Sequence, residues 1–187
     1  MRIISGDLKG KKLLIPKDNY TRPLRDAVKE SLFNLLQHSN VLNFDLYNSS
    51  VLDLFSGVGT FGLECISRKC RHVTFCENYF PALEMLKRNI KNLKCGKKTK
   101  ILEKNVYHLA KLKNHLKDFD IIFLDPPYKE KDIRILLEII KEKQFLKKNG
   151  IILIHREKTN LDIFPTNFRI LTNKVYGRSK IIFGKFD

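Results

Sequence analysis

The sequence carries four cysteines, Cys65, Cys70, Cys76 and Cys95, but no C-x-x-C pair and no paired histidines near them. That spacing indicates neither a zinc site nor a dithiol redox motif, and it points to buried, reduced thiols. No metal is expected. No apolar run approaches the roughly 20 residues that a membrane helix needs, and Met1-Arg2-Ile3-Ile4-Ser5-Gly6-Asp7 lacks the apolar stretch of a secretory signal. A soluble, cytoplasmic monomer is the expectation. Internal repeats and low-complexity tracts are also missing. Acidic residues are scarce, with 20 Asp and Glu against 36 Lys and Arg, for a net charge of +16 and a pI near 9.8. Such a balance calls for a polyanionic partner, RNA, DNA or an acidic membrane surface, and carries no information about fold.

What is present is ordinary globular material. The 187 residues, 43% of them apolar, suffice for one domain with a substantial core. Residues 2–16 alternate short apolar pairs with Ser5-Gly6 and Lys9-Gly10, which predicts a small, very basic hairpin. Val28, Leu32, Phe33, Leu35 and Leu36 fall at helical spacing and predict a helix from Arg25 to Leu36, followed by a loop from His38 to Ser50. Then come strand 51–55, helix 60–68, strand 72–77, helix 81–93, strand 100–103, helix 106–116, strand 120–124, helix 131–143 and strand 150–154. Regular alternation of this kind predicts a parallel sheet with helices on both faces, an α/β fold of Rossmann-like type. Runs 168–176 and 179–186, joined by Gly177-Arg178 without a helix, predict a C-terminal antiparallel hairpin that brings the sheet to seven strands. The expected organisation is one domain over 1–187, with residues 1–20 a basic extension and residues 21–187 the core and its leading helix.

Gly57-Val58-Gly59-Thr60-Phe61-Gly62 follows the first strand and opens a helix, the context in which a glycine fingerprint binds a nucleoside cofactor. The glycines alone leave a dinucleotide and S-adenosylmethionine both open. Asp53, near the carboxyl end of the first strand, decides between them, because a fixed carboxylate repels a pyrophosphate and attracts an ammonium or a sulfonium. Glu77 ends the second strand, where an acidic side chain can accept the hydroxyls of a ribose. Asn105 and the backbone N–H of Val106, after the third strand, could bind an adenine edge; Asn105 reads equally as a helix N-cap. Asp125-Pro126-Pro127-Tyr128 ends the fourth strand. Neither proline can donate to a ladder, so the turn projects the Asp125 carboxylate and the Pro126 carbonyl, two acceptors that suit an exocyclic amine, and Tyr128 offers a ring on which a base can stack. The same residues also read as a plain Pro-Pro turn with a partly buried tyrosine. Parallel strands end on one side, so Asp53, Glu77, Asn105 and Asp125 are expected to line one crevice.

Several of these motifs together resemble the RsmD-like methyltransferases. Arg2-Ile3-Ile4-Ser5-Gly6 with Lys9-Gly10-Lys11-Lys12-Leu13 is similar to that family's opening hairpin, and Thr21-Arg22-Pro23 with Asp26, Val28 and 29–34 to its next helix. Asp53-Leu54-Phe55-Ser56-Gly57 with Gly59, Gly62-Leu63-Glu64 and Ser67-Arg68 is similar to its cofactor loop, Asp125-Pro126-Pro127-Tyr128 to its catalytic loop, and Tyr176-Gly177 with Ser179 to its closing hairpin. The resemblance implies a class I methyltransferase fold and an S-adenosylmethionine-dependent enzyme that methylates the 2-amino group of a guanine in small-subunit ribosomal RNA. It implies Asp125, Pro126, Pro127 and Tyr128 as catalytic. Cofactor-binding residues would be Arg22, Asp53, Phe55, Gly57, Gly59, Glu77, Asn78, Asn105, Val106 and Asp125. Arg2, Lys9, Lys11, Lys12 and Arg25 would hold RNA phosphates. The chain departs from the family pattern at Leu24, Arg25, Val58 and His155. Adenine or cytosine amines in DNA or other RNA, and an inactive RNA-binding assembly factor, are the alternatives to this reading.

Overall fold

The computed structural model describes all residues except 19–23, 40, 41, 43, 112–115, 128, 129, 131 and 132. Its elements are α1 (Asp26–His38), β1 (Ser50–Leu54), α2 (Thr60–Ser67), β2 (His72–Glu77), α3 (Phe80–Asn92), β3 (Thr99–Glu103), β4 (Phe119–Leu124), α4 (Ile133–Glu142), β5 (Leu146–Glu157), β6 (Phe168–Tyr176) and β7 (Ser179–Phe186). Short 3-10 turns at Gly96–Lys98 and Val106–Lys111 flank β3. One sheet holds every strand in the order β3-β2-β1-β4-β5-β7-β6, with β7 alone running antiparallel to its neighbours. The expected seven-stranded, mostly parallel sheet is therefore present. The strand order reverses between β1 and β4, and it is outside the carboxyl ends at such a switch point that open α/β sheets bind ligands.

Both faces of the sheet are covered, as a strand buried along its whole length, such as β1, requires. Val51, Phe75, Phe123 and Leu153 point into one core with α1, α2 and α3, while Leu52, Cys76, Leu124 and Ile154 point into the other with α4. The first core is threaded by three stacked rings: Phe33 lies 5.3 Å from Phe61, and Phe61 lies 4.1 Å from Phe123. Phe123 precedes Asp125 by two residues, so this stack seats the end of β4. All four cysteines are free and buried, as expected. Among the described residues no helix is long and apolar enough to cross a membrane.

Three expectations about local structure need correction. The helix expected over 106–116 is a 3-10 helix, Val106–Lys111, with residues 112–115 outside the described set. Its buried residues Val106 and Leu109 are three apart, the 3-10 repeat, and Val, Tyr and His are indifferent α-helix formers. The N-terminal hairpin is not a strand pair. It is a turn-rich arm with a single bridge, Arg2 to Lys12, extended by Ile3 N–H to Lys11 O at 2.9 Å and Leu13 N–H to Met1 O at 3.1 Å. Finally, β5 extends beyond 150–154 at both ends. The polar residues that seemed to end it are exposed at its start, Asn149 among them, and buried at its finish, at His155 and Arg156.

Candidate active site

Strand alternation brings the acidic groups together. Asp53, Glu77, Asp125 and His155 continue the odd-numbered positions of β1, β2, β4 and β5 that face α2. The register pairs Leu54 with Leu124, and the Asp125 N–H donates to Leu54 O at 3.3 Å, which closes the two strand ends against each other. Asp53 is buried, and its Oδ2 accepts the Gly62 N–H of α2 at 3.0 Å. Its other oxygen, Oδ1, is buried without a partner among the described residues. Burial pushes the Asp53 carboxyl well above the usual carboxylate range; the Gly62 N–H opposes this, and the charges of Asp125 and Glu77 add to it.

The glycine turn is shaped by Phe55, held at φ 58°, and by Gly59, which caps α2 at φ 85°. A side chain at Gly59 would meet the Leu86 methyl at 2.5 Å, so both the backbone angle and the packing demand glycine. A non-glycine residue such as Phe55 at positive φ stores strain of about 1–3 kcal/mol, a feature of ligand-binding turns. Glu77 spans this turn and the start of α3: Oε2 accepts Gly57 N–H at 2.7 Å, and Oε1 accepts Asn78 N–H and Tyr79 N–H, both at 2.8 Å. Three of its roughly four lone-pair sites are thus used, which leaves about one for a ribose hydroxyl. Asn78 is exposed beside it. Asn105 Oδ1 accepts the Tyr107 N–H at 2.9 Å, the N-cap arrangement, while Val106 opens the turn with an N–H that no intrahelical bond uses. Arg22 and Tyr128 lie outside the described residues.

In the Asp125-Pro126-Pro127 turn Pro126 is buried and Pro127 exposed, and Pro127 O accepts the Glu130 N–H at 2.8 Å. Asp125 Oδ1 lies 2.7 Å from His155 Nδ1. The Arg156 Nη2 donates to Glu130 O at 2.6 Å and its Nε to Asp162 Oδ1 at 2.8 Å.

The basic arm is fixed to α2 by residues whose part in this was not legible in the sequence. Glu64, fully buried, accepts Ile4 N–H at 2.9 Å, Ser5 N–H at 3.0 Å and Arg68 Nε at 3.0 Å, and pairs with Lys29 Nζ at 3.5 Å. Burial lowers the Lys29 pKa, while Glu64 and Asp26 resist that shift. Lys29 Nζ also donates to Arg2 O at 2.6 Å. Buried Asn89 of α3 joins the arm to the glycine turn: it binds both backbone groups of Leu14 and donates to Val58 O at 3.1 Å. Arg2, Lys9, Lys11 and Lys12 are exposed on this arm, and Arg25 is exposed at the start of α1. Arg2 also pairs with Asp26 at 3.6 Å.

Gly6, at φ 78°, packs so tightly that a Cβ there would lie 2.0 Å from Ser67 O, whereas Gly10, at φ 84°, has no neighbour within 4 Å. Gly6→Ala is therefore expected to cost about 2–4 kcal/mol in urea unfolding, from backbone strain and overpacking combined, and Gly10→Ala only the strain of about 1–2 kcal/mol. Equal losses in the two variants would show that the arm is not seated on Ser67.

The carboxylate set fits S-adenosylmethionine: a buried, unpartnered Asp53 oxygen suits its ammonium, Glu77 its ribose, and the surrounding negative charge its sulfonium. The family model described as Conserved hypothetical protein 95 matches residues 1–185. Ribosomal RNA small subunit methyltransferase D of Haemophilus influenzae is 33% identical over 178 residues, spanning 95% of this chain and 89% of that protein. The protein of the same name from Buchnera aphidicola subsp. Acyrthosiphon pisum is 35% identical over 173 residues, 92% of this chain and 86% of that one. Among solved structures, yhhF of Escherichia coli aligns with a TM-score of 0.85 at 26% identity, covering 100% of this chain and 98% of that chain. HI0767 of Haemophilus influenzae aligns with a TM-score of 0.78 at 30% identity, covering 98% and 97%. With its class I methyltransferase sheet and a family match along almost its whole length, the chain belongs to the RsmD-like methyltransferase family described as Conserved hypothetical protein 95.

Proposed function

We propose that the protein is an S-adenosylmethionine-dependent methyltransferase that modifies the exocyclic 2-amino group of a guanine in small-subunit ribosomal RNA. One observation carries this reading: Asp53, with a buried carboxyl oxygen that has no partner among the described residues, and an Asp-Pro-Pro turn with paired acceptors meet at one switch point of the sheet. S-adenosylmethionine, when bound, supplies an electrophilic methyl group. Asp53, Glu77 and the Gly57–Gly59 turn would hold it, with Phe55, Asn78 and Val106 at the margins and Arg22 from the segment before α1.

The chain's own task is to present an aromatic amine whose lone pair is delocalised into the ring. Asp125 and the Pro126 carbonyl accept the two amine hydrogens, favour a pyramidal nitrogen and offset the positive charge that develops on it. The proton can leave to water afterwards, so Asp125 need not be a strong base. Bringing a base to this turn requires unstacking it, at a cost of a few kcal/mol that stacking on Tyr128 would partly offset. The RNA comes to a surface of net charge +16, with the arm supplying Arg2, Lys9, Lys11 and Lys12 and α1 supplying Arg25.

Small-subunit RNA treated with the protein and S-adenosylmethionine, then digested to nucleosides and read by mass spectrometry, should yield N2-methylguanosine. Methylated adenosine or cytidine, or methylated DNA, would redirect the substrate assignment, and no methylated nucleoside at all would favour the assembly-factor reading. Replacing Lys9, Lys11 and Lys12 together by alanine is expected to lower the log-log salt slope of RNA binding by about 2, at about 0.7 per phosphate contact. An unchanged slope would remove the arm from the interface.

A further inference from the structure

We infer that His155 is a positioning residue for the methylation turn, holding Asp125 so that one carboxylate oxygen is committed and the other faces the amine. The inference rests on the reading of Asp125 as an amine acceptor. It starts from an oddity of β5: after the apolar run 150–154, two large polar side chains, His155 and Arg156, are buried in succession. Polar groups buried at a strand end cost free energy unless they are hydrogen-bonded; each of these makes a bond to Asp125 or Glu130, although His155 Nε2 and Arg156 Nη1 are buried without a partner among the described residues.

His155 Nδ1 lies 2.7 Å from Asp125 Oδ1 at the loop's beginning, and Arg156 Nη2 lies 2.6 Å from Glu130 O at its end. Successive strand residues point to opposite faces, so Asp125 and Glu130 are held from opposite sides of the sheet. The support is rigid. β5 is an interior strand, with Ile154 paired to Leu124 on one side and His155 paired to Ile181 on the other.

The hydrogen bond also fixes which atom does what. With the carboxylate as acceptor, the contact requires the hydrogen on Nδ1 and commits Oδ1 to it. Oδ2 is left uncommitted by this bond, available with the carbonyl of the next residue, Pro126, as an acceptor for an amine. Apart from this bond, the backbone bond from Asp125 N–H to Leu54 O, at 3.3 Å, is what ties the residue to its neighbouring strand. Removing the imidazole frees the carboxylate to rotate, and a displacement of about 1 Å at a reacting group can cost on the order of a hundredfold in rate.

The test compares His155→Leu with His155→Asn, whose amide –NH2 can stand in the place of Nδ1. His155→Leu should lower kcat on small-subunit RNA by about a hundredfold, with KM for RNA and S-adenosylmethionine affinity within about threefold of wild type, and His155→Asn should recover at least about tenfold of that loss. Turnover of His155→Leu within threefold of wild type, or an Asn variant no better than the Leu variant, overturns the inference. If His155→Leu does not fold, nitrogen-15 resonances of the wild type decide: Nδ1 should carry the hydrogen, and its signal should move in Asp125→Ala. A hydrogen on Nε2 with a bare Nδ1 overturns the inference. A wild-type protein that methylates nothing would sink the reading of the site, whereas the nitrogen measurement still decides the role of His155.

Discussion

Asp125→Asn is expected to cut methyl transfer by about a hundred- to a thousandfold, the range for removing one preorganised group aimed at developing charge, while S-adenosylmethionine affinity stays within about tenfold. The substitution is isosteric, so the 2.7 Å contact with His155 can persist through the amide oxygen. What changes is the second atom. An –NH2 in place of Oδ2 confronts the substrate amine with a donor where an acceptor is needed, and the charge that offsets the nascent ammonium is gone. Cofactor affinity is spared because the effects on it oppose each other. A negative charge near the sulfonium is lost, yet the repulsion that Asp125 exerts on Asp53 is lost with it. Single-turnover kinetics on small-subunit RNA, with calorimetry for the cofactor, separates the two quantities. Turnover within about tenfold of wild type would show that the Asp-Pro-Pro turn is structural.

The architecture was legible because β1, β2, β4 and the centre of β5 are short apolar runs separated by helical periodicity, which physics permits only in a sheet covered on both faces. The strand-end cluster of acidic residues followed from the same regularity. Strands that run parallel must end together, and the alternation of two that buries Phe75 and Phe123 also turns Glu77 and Asp125 towards α2. What stayed hidden depends on contacts far apart in sequence. Glu64 reads as one acidic residue in a helix and becomes the anchor of an arm 60 residues away only through Ile4 and Ser5. Asn89 is a polar residue on an amphipathic helix until its amide is seen between Leu14 and Val58. His155 and Arg156 looked like the end of β5 because polarity ordinarily marks solvent, and here it marks bonds to Asp125 and Glu130. Asn105 was ambiguous between ligand and cap, and its Oδ1 serves as a cap. Local pattern gives the scaffold and the strand-end residues; the second layer that steadies them is written in three dimensions.

Asp53→Asn should weaken S-adenosylmethionine binding by about 2–5 kcal/mol, a loss of some thirtyfold to several thousandfold, the cost of truncating one partner of a buried charge pair. The amide oxygen can still accept the Gly62 N–H, so the fold of the turn is preserved and the loss reports on charge. The pH dependence makes the sign checkable. In the free protein, burial first and then the charges of Asp125 and Glu77 raise the Asp53 carboxyl well above its usual range. Between the unfolded value of about 3.9 and that raised value, the native state holds a proton that the unfolded chain has released. The contribution of Asp53 to stability is therefore full below the lower limit and declines as pH rises through the window. An asparagine cannot ionise, so the free variant escapes this decline and should be the more stable protein at higher pH. An ammonium placed against Asp53 favours the ionised form, so binding within the window must expel a proton, and affinity must rise with pH until the raised value is passed. Calorimetry at about pH 5, just above the ordinary carboxylate range, in two buffers of different ionisation enthalpy should detect proton release in the wild type and less of it in Asp53→Asn. Identical proton counts in the two proteins, or an Asp53→Asn variant that binds within about threefold of wild type, would mean that the buried carboxylate serves the helix and not the cofactor, and the orphaned Oδ1 would need another explanation.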